Sequence, residues 1–439
     1  MSAASKIPPL RFKGFEGVWE EKRLGEMGSP YNGLSGKCKS DFGHGNGRYV
    51  TYLNVFNNSV VGADGCDRIE VDKSQNEVCD GDVFFTTSSE TPEEVGMASV
   101  WRGNGDNTYL NSFCFGYRPK SKINADFWAH MLRADSFRDR IVVLAQGISR
   151  YNISKGKVME LPVSLPKDAE QQKIGSTFCS LDALIADRES AVEKLQTLKK
   201  AMLEKMFPRA GAKVHEVRFK GCEGEWEAKR LGDAFSMSVS TNTLSRACLT
   251  EEGTVRNVHY GDILTKLKSV TNVNSEELPY VADNDFKTST KNLLQDGDVV
   301  MADTAEDAMV GKVNIFIQKV VHHLVGKVTE IRNVGCAQVV AGLHTVILRP
   351  LDDFGAGYLG YYLNSDAFHL GLLRIMQGVK VLSINKSFLA DYSLLFPSLH
   401  EQRKIGAYFR SLDALISARQ EEVGKMKDLK KALLDRMFV

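Results

Sequence analysis

Residues 170–207 read EQQKIGSTFCSLDALIADRESAVEKLQTLKKAMLEKMF, and residues 401–438 read EQRKIGAYFRSLDALISARQEEVGKMKDLKKALLDRMF. Position for position, 22 of these 38 residues are identical. Both copies carry apolar residues in a 3–4 rhythm: Ile174, Phe178, Leu181, Ile185, Val192, Leu195, Met202 and Met206 in the first, and Ile405, Phe409, Leu412, Ile416, Val423, Met426, Leu433 and Met437 in the second. That rhythm, with mixed charge on the other face, predicts two long amphipathic helices with a coiled-coil seam. Ser398 and Glu401 have capping-box spacing before the second helix, and Asp168 is placed to cap the first. Arg188 and Arg419 interrupt the seam at equivalent places. Two such helices, each following a globular region, can pair antiparallel through Phe178, Leu181, Ile185, Val192 and Leu195 of one and Phe409, Leu412, Ile416, Val423 and Met426 of the other. The plainer reading is that each helix packs only on its own region.

Working outward, a second repeat opens each half. Residues 11–25 are RFKGFEGVWEEKRLG and residues 218–232 are RFKGCEGEWEAKRLG. The offset between the halves drifts along the chain. It is 207 at this motif, 216 at Gly81-Asp82-Val83 against Gly297-Asp298-Val299, and 231 from Arg118-Pro119 against Arg349-Pro350 onward. The second globular region is therefore 231 − 207 = 24 residues longer, with the extra length between fixed landmarks. Loops grow this way on a shared scaffold. The organisation expected is a globular region over 11–166, a helix over 167–208, a linker over 209–217, a second globular region over 218–397 and a second helix over 398–439. Between landmarks the halves share little, so one scaffold carries two different surfaces.

The fold class expected is α+β with internal pseudo-two-fold symmetry. Short β-branched and aromatic runs at Arg48–Phe56, Asp82–Thr86, Val299–Ala302 and His344–Leu348 predict strands. Helices are expected over Asp126–Leu144 and Tyr358–Met376, stopping at Gly147 and Gly378. At 439 residues the chain is long enough for two domains. Eight cysteines are scattered without a CxxC pair, which argues against a zinc site or a disulfide framework. No stretch of about 20 apolar residues occurs, and the first residues lack the apolar run of a signal peptide. A cytoplasmic protein with no membrane attachment is expected. The net charge of +1 is small for a stand-alone DNA binder. Either basic groups gather on one face or another subunit supplies phosphate contacts.

Fragments that look catalytic do not hold together. Phe12–Gly17 faintly matches a cofactor glycine loop, and Ser29-Pro30-Tyr31 lacks the second proline of an amino-methyltransferase signature. Glu20-Glu21-Lys22 and Glu227-Ala228-Lys229 match half of a nuclease motif, but the sequence has no Pro-Asp dipeptide to complete it. No GxxxxGK[ST] loop occurs. His322 and His323, adjacent on a strand, would point to opposite faces.

Taken together, the Arg-Phe-x-Gly-Phe/Cys-x-Gly-x-Trp motif, the Lys-Arg-Leu-Gly after it, a variable region, and a Pro-x3-Glu-Gln-x-Lys-Ile-Gly helix, all twice and in order, resemble the specificity subunit of type I restriction–modification systems. The resemblance spans essentially the whole chain. It implies two target recognition domains, each reading one half of a bipartite, asymmetric sequence in double-stranded DNA, separated by helices that set their spacing. It implies docking of two modification (methyltransferase) subunits that bind S-adenosylmethionine. Two restriction subunits carrying ATP- and Mg-dependent translocation and cleavage can join. The subunit itself would hold no cofactor or metal and have no catalytic residue. An assembly protein that binds methyltransferase subunits without reading DNA is the alternative.

Two aligned places are candidates for DNA contact. One follows Gly81-Asp82-Val83, where Thr87, Ser88 and Ser89 align with Asp303, Thr304 and Ala305. Small polar residues on such a loop approach bases and phosphates closely, although a solvated turn has the same composition. The other is Gln146 to Arg150, aligned with Gln377 to Val381. Gln146 and Gln377 could read adenine, and Arg150 and Lys380 could take phosphate. Lys37, Lys39, Arg48, Arg246, Lys266 and Lys268 are further phosphate candidates. If the helices set the spacing, inserting one heptad into both in register should lengthen the separation by about 10 Å. The unread gap in the target should then grow by roughly three base pairs, as read from mapped methylation motifs, and an unchanged gap would refute the ruler.

Overall fold

The structure is a computed structural model that describes residues 7–208, 215–282, 286, 288–306, 325–377 and 381–439. Lys380, Gly378, His322, His323 and linker residues 209–214 lie outside the described residues. The chain forms two compact units. Unit 1 is Met1–Ser190 with Gln420–Val439, and unit 2 is Ala191–Arg419. The division falls within the two long helices, Asp168–Met206 and Leu399–Met437. Each unit is therefore built from one globular region, the first part of its own helix and the last part of the other helix.

The two units repeat one topology. The main sheet of unit 1 runs in the order Gly28–Asn32, Cys114–Pro119, Val83–Thr86, Ala98–Trp101, Val60–Val61. That of unit 2 runs Phe235–Ser236, Thr345–Pro350, Val299–Ala302, Val328–Arg332, Val270–Asn272. In both, the last strand joins parallel and the rest antiparallel. A second sheet holds Phe42–Val50 between Cys66–Ile69 and Thr108–Leu110 in unit 1. Its counterpart in unit 2 pairs Val255–Val258 with Gln338–Ala341, again parallel. The central strands Val83–Thr86 and Val299–Ala302 are buried at every residue, as their unbroken apolar runs require.

Several local expectations are corrected. Arg48–Phe56 is not one strand: the strand ends at Val50, and Thr51 caps a helix over Tyr52–Asn57 by accepting from the Asn54 N–H. The helix expected over Asp126–Leu144 is two, Ala125–Met131 and Asp135–Val142. Its counterpart is likewise two, Tyr358–Tyr362 and Asp366–Leu372. Gly147 is not a helix cap, because the preceding helix has already ended at Val142. Asp168 lies in the first turn of its helix. The Glu401 N–H does reach Ser398 Oγ, at 3.4 Å, but the Glu401 carboxylate is held by Arg218 instead of closing a capping box.

The repeated sequences explain themselves once folded. The Arg11 guanidinium donates to both oxygens of Glu170 at 2.6 and 2.7 Å and also to the carbonyls of Glu16 and Gly17. Arg218 repeats this on Glu401 at 2.9 and 2.7 Å and on the carbonyls of Glu223 and Gly224. Both carboxylates are only 1% exposed. The neighbouring Gln171 and Gln402 donate back to the carbonyls of Pro166 and Pro397, which accounts for the Pro-x3-Glu-Gln spacing.

The helices close the cores from the other end. In unit 1, Phe438 packs against Phe127, Phe178 and Trp19, with ring centroids 5.4 to 6.4 Å apart. In unit 2, Phe207 packs against Tyr362, Phe409 and Trp226 at 4.9 to 6.4 Å. Phe178 and Phe409 thus lie under the terminal aromatic of the other helix and not along a simple seam. Ile185, Val192, Leu412, Ile416 and Val423 are buried, and Leu181, Leu195 and Met426 half-buried. Within unit 1 the helices run antiparallel, since Asp182 pairs with Lys430 and Glu189 with Lys427. Phe438→Ala should cost unit 1 about 3–5 kcal/mol, the usual loss for a buried phenylalanine. Denaturant unfolding would show this as an early transition, and a single unshifted transition would deny Phe438 its role.

Candidate nucleic-acid interface

The two places nominated by the aligned sequence come together in each unit. In unit 1, Ser88–Ser89 pairs antiparallel with Tyr151–Asn152, and Asn152 also bridges to Gln146. In unit 2, Thr304–Glu306 pairs with Val381–Ile384, which pairs in turn with Met376–Gln377. Asn152 faces Ser88 and Gln146, and its counterpart Ser383 faces Thr304 and Gln377. Gln146 and Gln377 are both exposed.

Unit 1 builds this edge as a tight hairpin. Gln146 and Asn152 exchange both backbone hydrogen bonds at 2.9 Å. Gly147 opens the loop at φ 142°, where a β-carbon would run into the Arg150 carbonyl oxygen. Ile148, Ser149 and Arg150 stand exposed at the tip, Ile148 at 96%.

Other candidates are already engaged. Thr87 donates from both its N–H and its hydroxyl to the Phe113 carbonyl at 2.9 and 2.7 Å. Ser89 Oγ donates to Glu94 at 3.0 Å. Asp303 donates its N–H to the His344 carbonyl at 3.2 Å, and burial pushes its carboxyl up against the opposing pull of His344 and Lys386. Lys37 sits 2.6 Å from Asp72, and this bond together with those from Ser74 holds Asp72 well below the usual carboxylate range. Arg246 and Lys266 both face Asp262, and Lys268 faces Glu276. Arg48, Lys39 and Arg150 are exposed outside these pairs.

The sequence did not single out Phe113 and His344. They occupy the same backbone position, receiving the N–H of Thr87 and of Asp303, whose own carbonyls accept from Ile153 and Ile384. Phe113 is 57% exposed. Among the described residues no group of three or more His, Cys, Asp or Glu is placed to hold a metal, and no helix is long and apolar enough to cross a membrane.

Known proteins match this architecture. Residues 17–194 and 223–425 match the family described as type I restriction modification DNA specificity domain. The chain is 23% identical over 370 residues to the MjaX type I restriction enzyme specificity subunit of Methanocaldococcus jannaschii, covering 82% of this chain and 77% of that one. It is 21% identical over 380 residues to the MjaVIII specificity subunit of the same organism, covering 81% of each. Among solved structures, a type I restriction–modification S subunit from M. genitalium superposes with TM-score 0.53 at 14% identity over 99% of both chains. A chain from work on complex assembly and conformational transition of the type I R-M system gives TM-score 0.57 at 20% identity, over 96% of this chain and 97% of that one. At these identities the superpositions speak for the fold.

The hairpin geometry is testable by itself. Gly147→Ala should open the Gln146–Asn152 pair, raising amide exchange at both residues about tenfold or more while leaving Gln377 and Ser383 unchanged. Unaltered protection at Gln146 and Asn152 would show that the loop does not need glycine.

Proposed function

We propose, on the premise that this chain belongs to the family of type I restriction modification DNA specificity domains, that it is the non-catalytic subunit that gives a type I complex its DNA sequence. Each unit reads one half of a bipartite, asymmetric target. The observation that carries this reading is the repeated edge built around Asn152 and Ser383, where the strand pairing is repeated and Gln146 and Gln377 are kept while Ser88 and Asn152 give way to Thr304 and Ser383. Reading two different half-sites needs that combination, with phosphate contacts positioning the protein and base edges specifying the sequence. Adenine methylation would be done by two modification subunits holding S-adenosylmethionine, and restriction subunits would bring ATP and Mg.

The helices support the docking of two copies of one partner. In unit 1, Leu184 and Leu429 are 44% and 52% exposed and lie near one level, because Asp182 pairs with Lys430. In unit 2, Leu415 and Leu198 are 43% and 42% exposed, with Asp413 paired to Lys199. These are the same positions of the repeat, carrying the same residue. Unlike the DNA edge, they present one surface twice.

Co-expression with a modification subunit in a methylation-deficient host, followed by genome-wide N6-methyladenine mapping, should yield one split motif that vanishes without this chain. A stable complex with no motif would favour the assembly-only alternative. Changing Leu184 and Leu429 to Asp should remove one modification subunit from the complex, and changing Leu198 and Leu415 as well should remove both, as read by native mass spectrometry. A full complement bound to the fourfold variant would place docking elsewhere.

A further inference from the structure

We infer that Phe113 and His344 are a matched pair of specificity-determining residues, each contacting base edges in the half-site of its own unit. The inference rests on the DNA-reading function proposed above and names side chains within it.

Three equivalent backbone hydrogen bonds place them. The Asn111 N–H donates to Val50 and the Gly342 N–H to Val258. The Thr87 and Asp303 N–H groups donate to Phe113 and His344, and those of Ile153 and Ile384 donate to Thr87 and Asp303. The turn carrying Phe113 is fixed further by Asn111, only 6% exposed. Its Oδ1 accepts from the Phe113 N–H at 2.8 Å, and its Nδ2 donates to the Val50 carbonyl at 3.0 Å. A turn so held does not collapse to hide an aromatic ring. Phe113 nevertheless keeps 57% of its surface in solvent, joined through Thr87 to the strand that ends the exposed hairpin.

In unit 2 the position carries a different ring. His344 has φ 57°, its side chain is 46% exposed, and it meets Tyr260 edge-on at 5.3 Å, with Nδ1 3.9 Å from Asp303. Histidine is among the residues that adopt this left-handed region most readily, and Phe113 does not share it, so the two turns repeat their hydrogen bonds while the ring-bearing residue differs in backbone angle.

The pair distinguishes DNA from a protein as the occupant. A protein partner binding both units alike would meet the same side chain twice, as the helix leucines present. Here the backbone hydrogen bonds repeat and the chemistry changes from apolar to hydrogen-bonding. An apolar ring suits a thymine methyl, and an imidazole suits a base-edge donor or acceptor.

The test uses the assembled complex with modification subunits and short duplexes carrying the mapped motif or single-base variants. Methylation rates on cognate and variant duplexes are compared for the wild type, Phe113→Ala and His344→Gly, the glycine keeping the left-handed turn unstrained. Each variant should lose about tenfold or more of its discrimination at one position of one half-site, the two variants affecting opposite halves. Discrimination unchanged in both, or altered in both halves by either variant, overturns the assignment while leaving the subunit's role intact. A wild-type complex with no sequence preference would instead overturn the DNA-reading function itself. If Phe113→Ala fails to assemble, Phe113→Leu must still weaken discrimination at the same position, and full retention there counts against the proposal.

Discussion

The register of the two long helices depends on a single short segment in each unit. In unit 1, Arg11 clamps Glu170 at the start of the first helix. One residue earlier, the Leu10 N–H satisfies the Arg436 carbonyl at the end of the second, and Trp19 then packs on Phe438. Unit 2 repeats this with Arg218 on Glu401, the Val217 N–H on the Lys205 carbonyl, and Trp226 on Phe207. The head of one helix and the tail of the other are thereby fixed within ten residues of chain. A carboxylate buried at 1% exposure tolerates no loss of its cation, because the remaining charge would be stranded away from water. Retention of Arg-Phe-x-Gly in both halves follows from that constraint, and the motif is structural.

On this frame, repetition and divergence carry separate meanings. On the proposed function, where the same partner is met twice the exposed residues are identical, as with Leu184 and Leu415 or Leu198 and Leu429. Where two different half-sites would be met, the strand pairing and Gln146 with Gln377 are repeated while neighbouring side chains change. Core positions follow a third rule, in which geometry is kept and chemistry may drift. His130 and Tyr361 show it: His130 Nε2 lies 2.9 Å from Asp182, and Tyr361 donates to Asp413 at 2.7 Å. The two aspartates in turn meet Lys430 and Lys199. One carboxylate ties three helices together in each unit through whichever polar ring is present.

The long helices were legible because a repeated 3–4 apolar rhythm over 38 residues admits few other structures. The shorter elements were not. Tyr52 to Phe56 has strand-like composition, but Thr51 offers a cap and the segment turns helical. Leu132 to Ala134 looks like helix interior, yet Arg133 leaves the helical path to donate to the carbonyls of Ala98, Val55, Phe56 and Asn58. Burial, with the nearby Arg138 cation, lowers the Arg133 pKa to about 10, and the helix breaks where this side chain makes its bonds to four carbonyls. Alignment found Thr87, Gln146 and Gln377, since each lies beside a landmark. Phe113 and His344 align at the offset of 231 carried back from Arg118 and Arg349, but an isolated Phe and His carry no signal of function, and the matching hydrogen bonds show that the alignment holds there.

Not all of the cations in the chain are available to phosphate. Many of the cations that could neutralise phosphate are already neutralised within the protein. Lys37 is spent on Asp72, Arg118 on Asp82, Arg349 on Asp298, and Arg246 on Asp262. Arg118 and Arg349 also brace strand ends, donating to the carbonyls of Glu77 and of Lys291 and Leu293. Each phosphate that the remaining cations neutralise would release counterions and steepen the dependence of binding on salt. On the proposed function, a chain of this kind carries sequence discrimination more than affinity. On the proposed function, affinity then comes largely from the modification subunits closing around the duplex, and the two properties reside in different polypeptides. That separation lets a recognition surface change its side chains without altering the grip of the assembly on DNA.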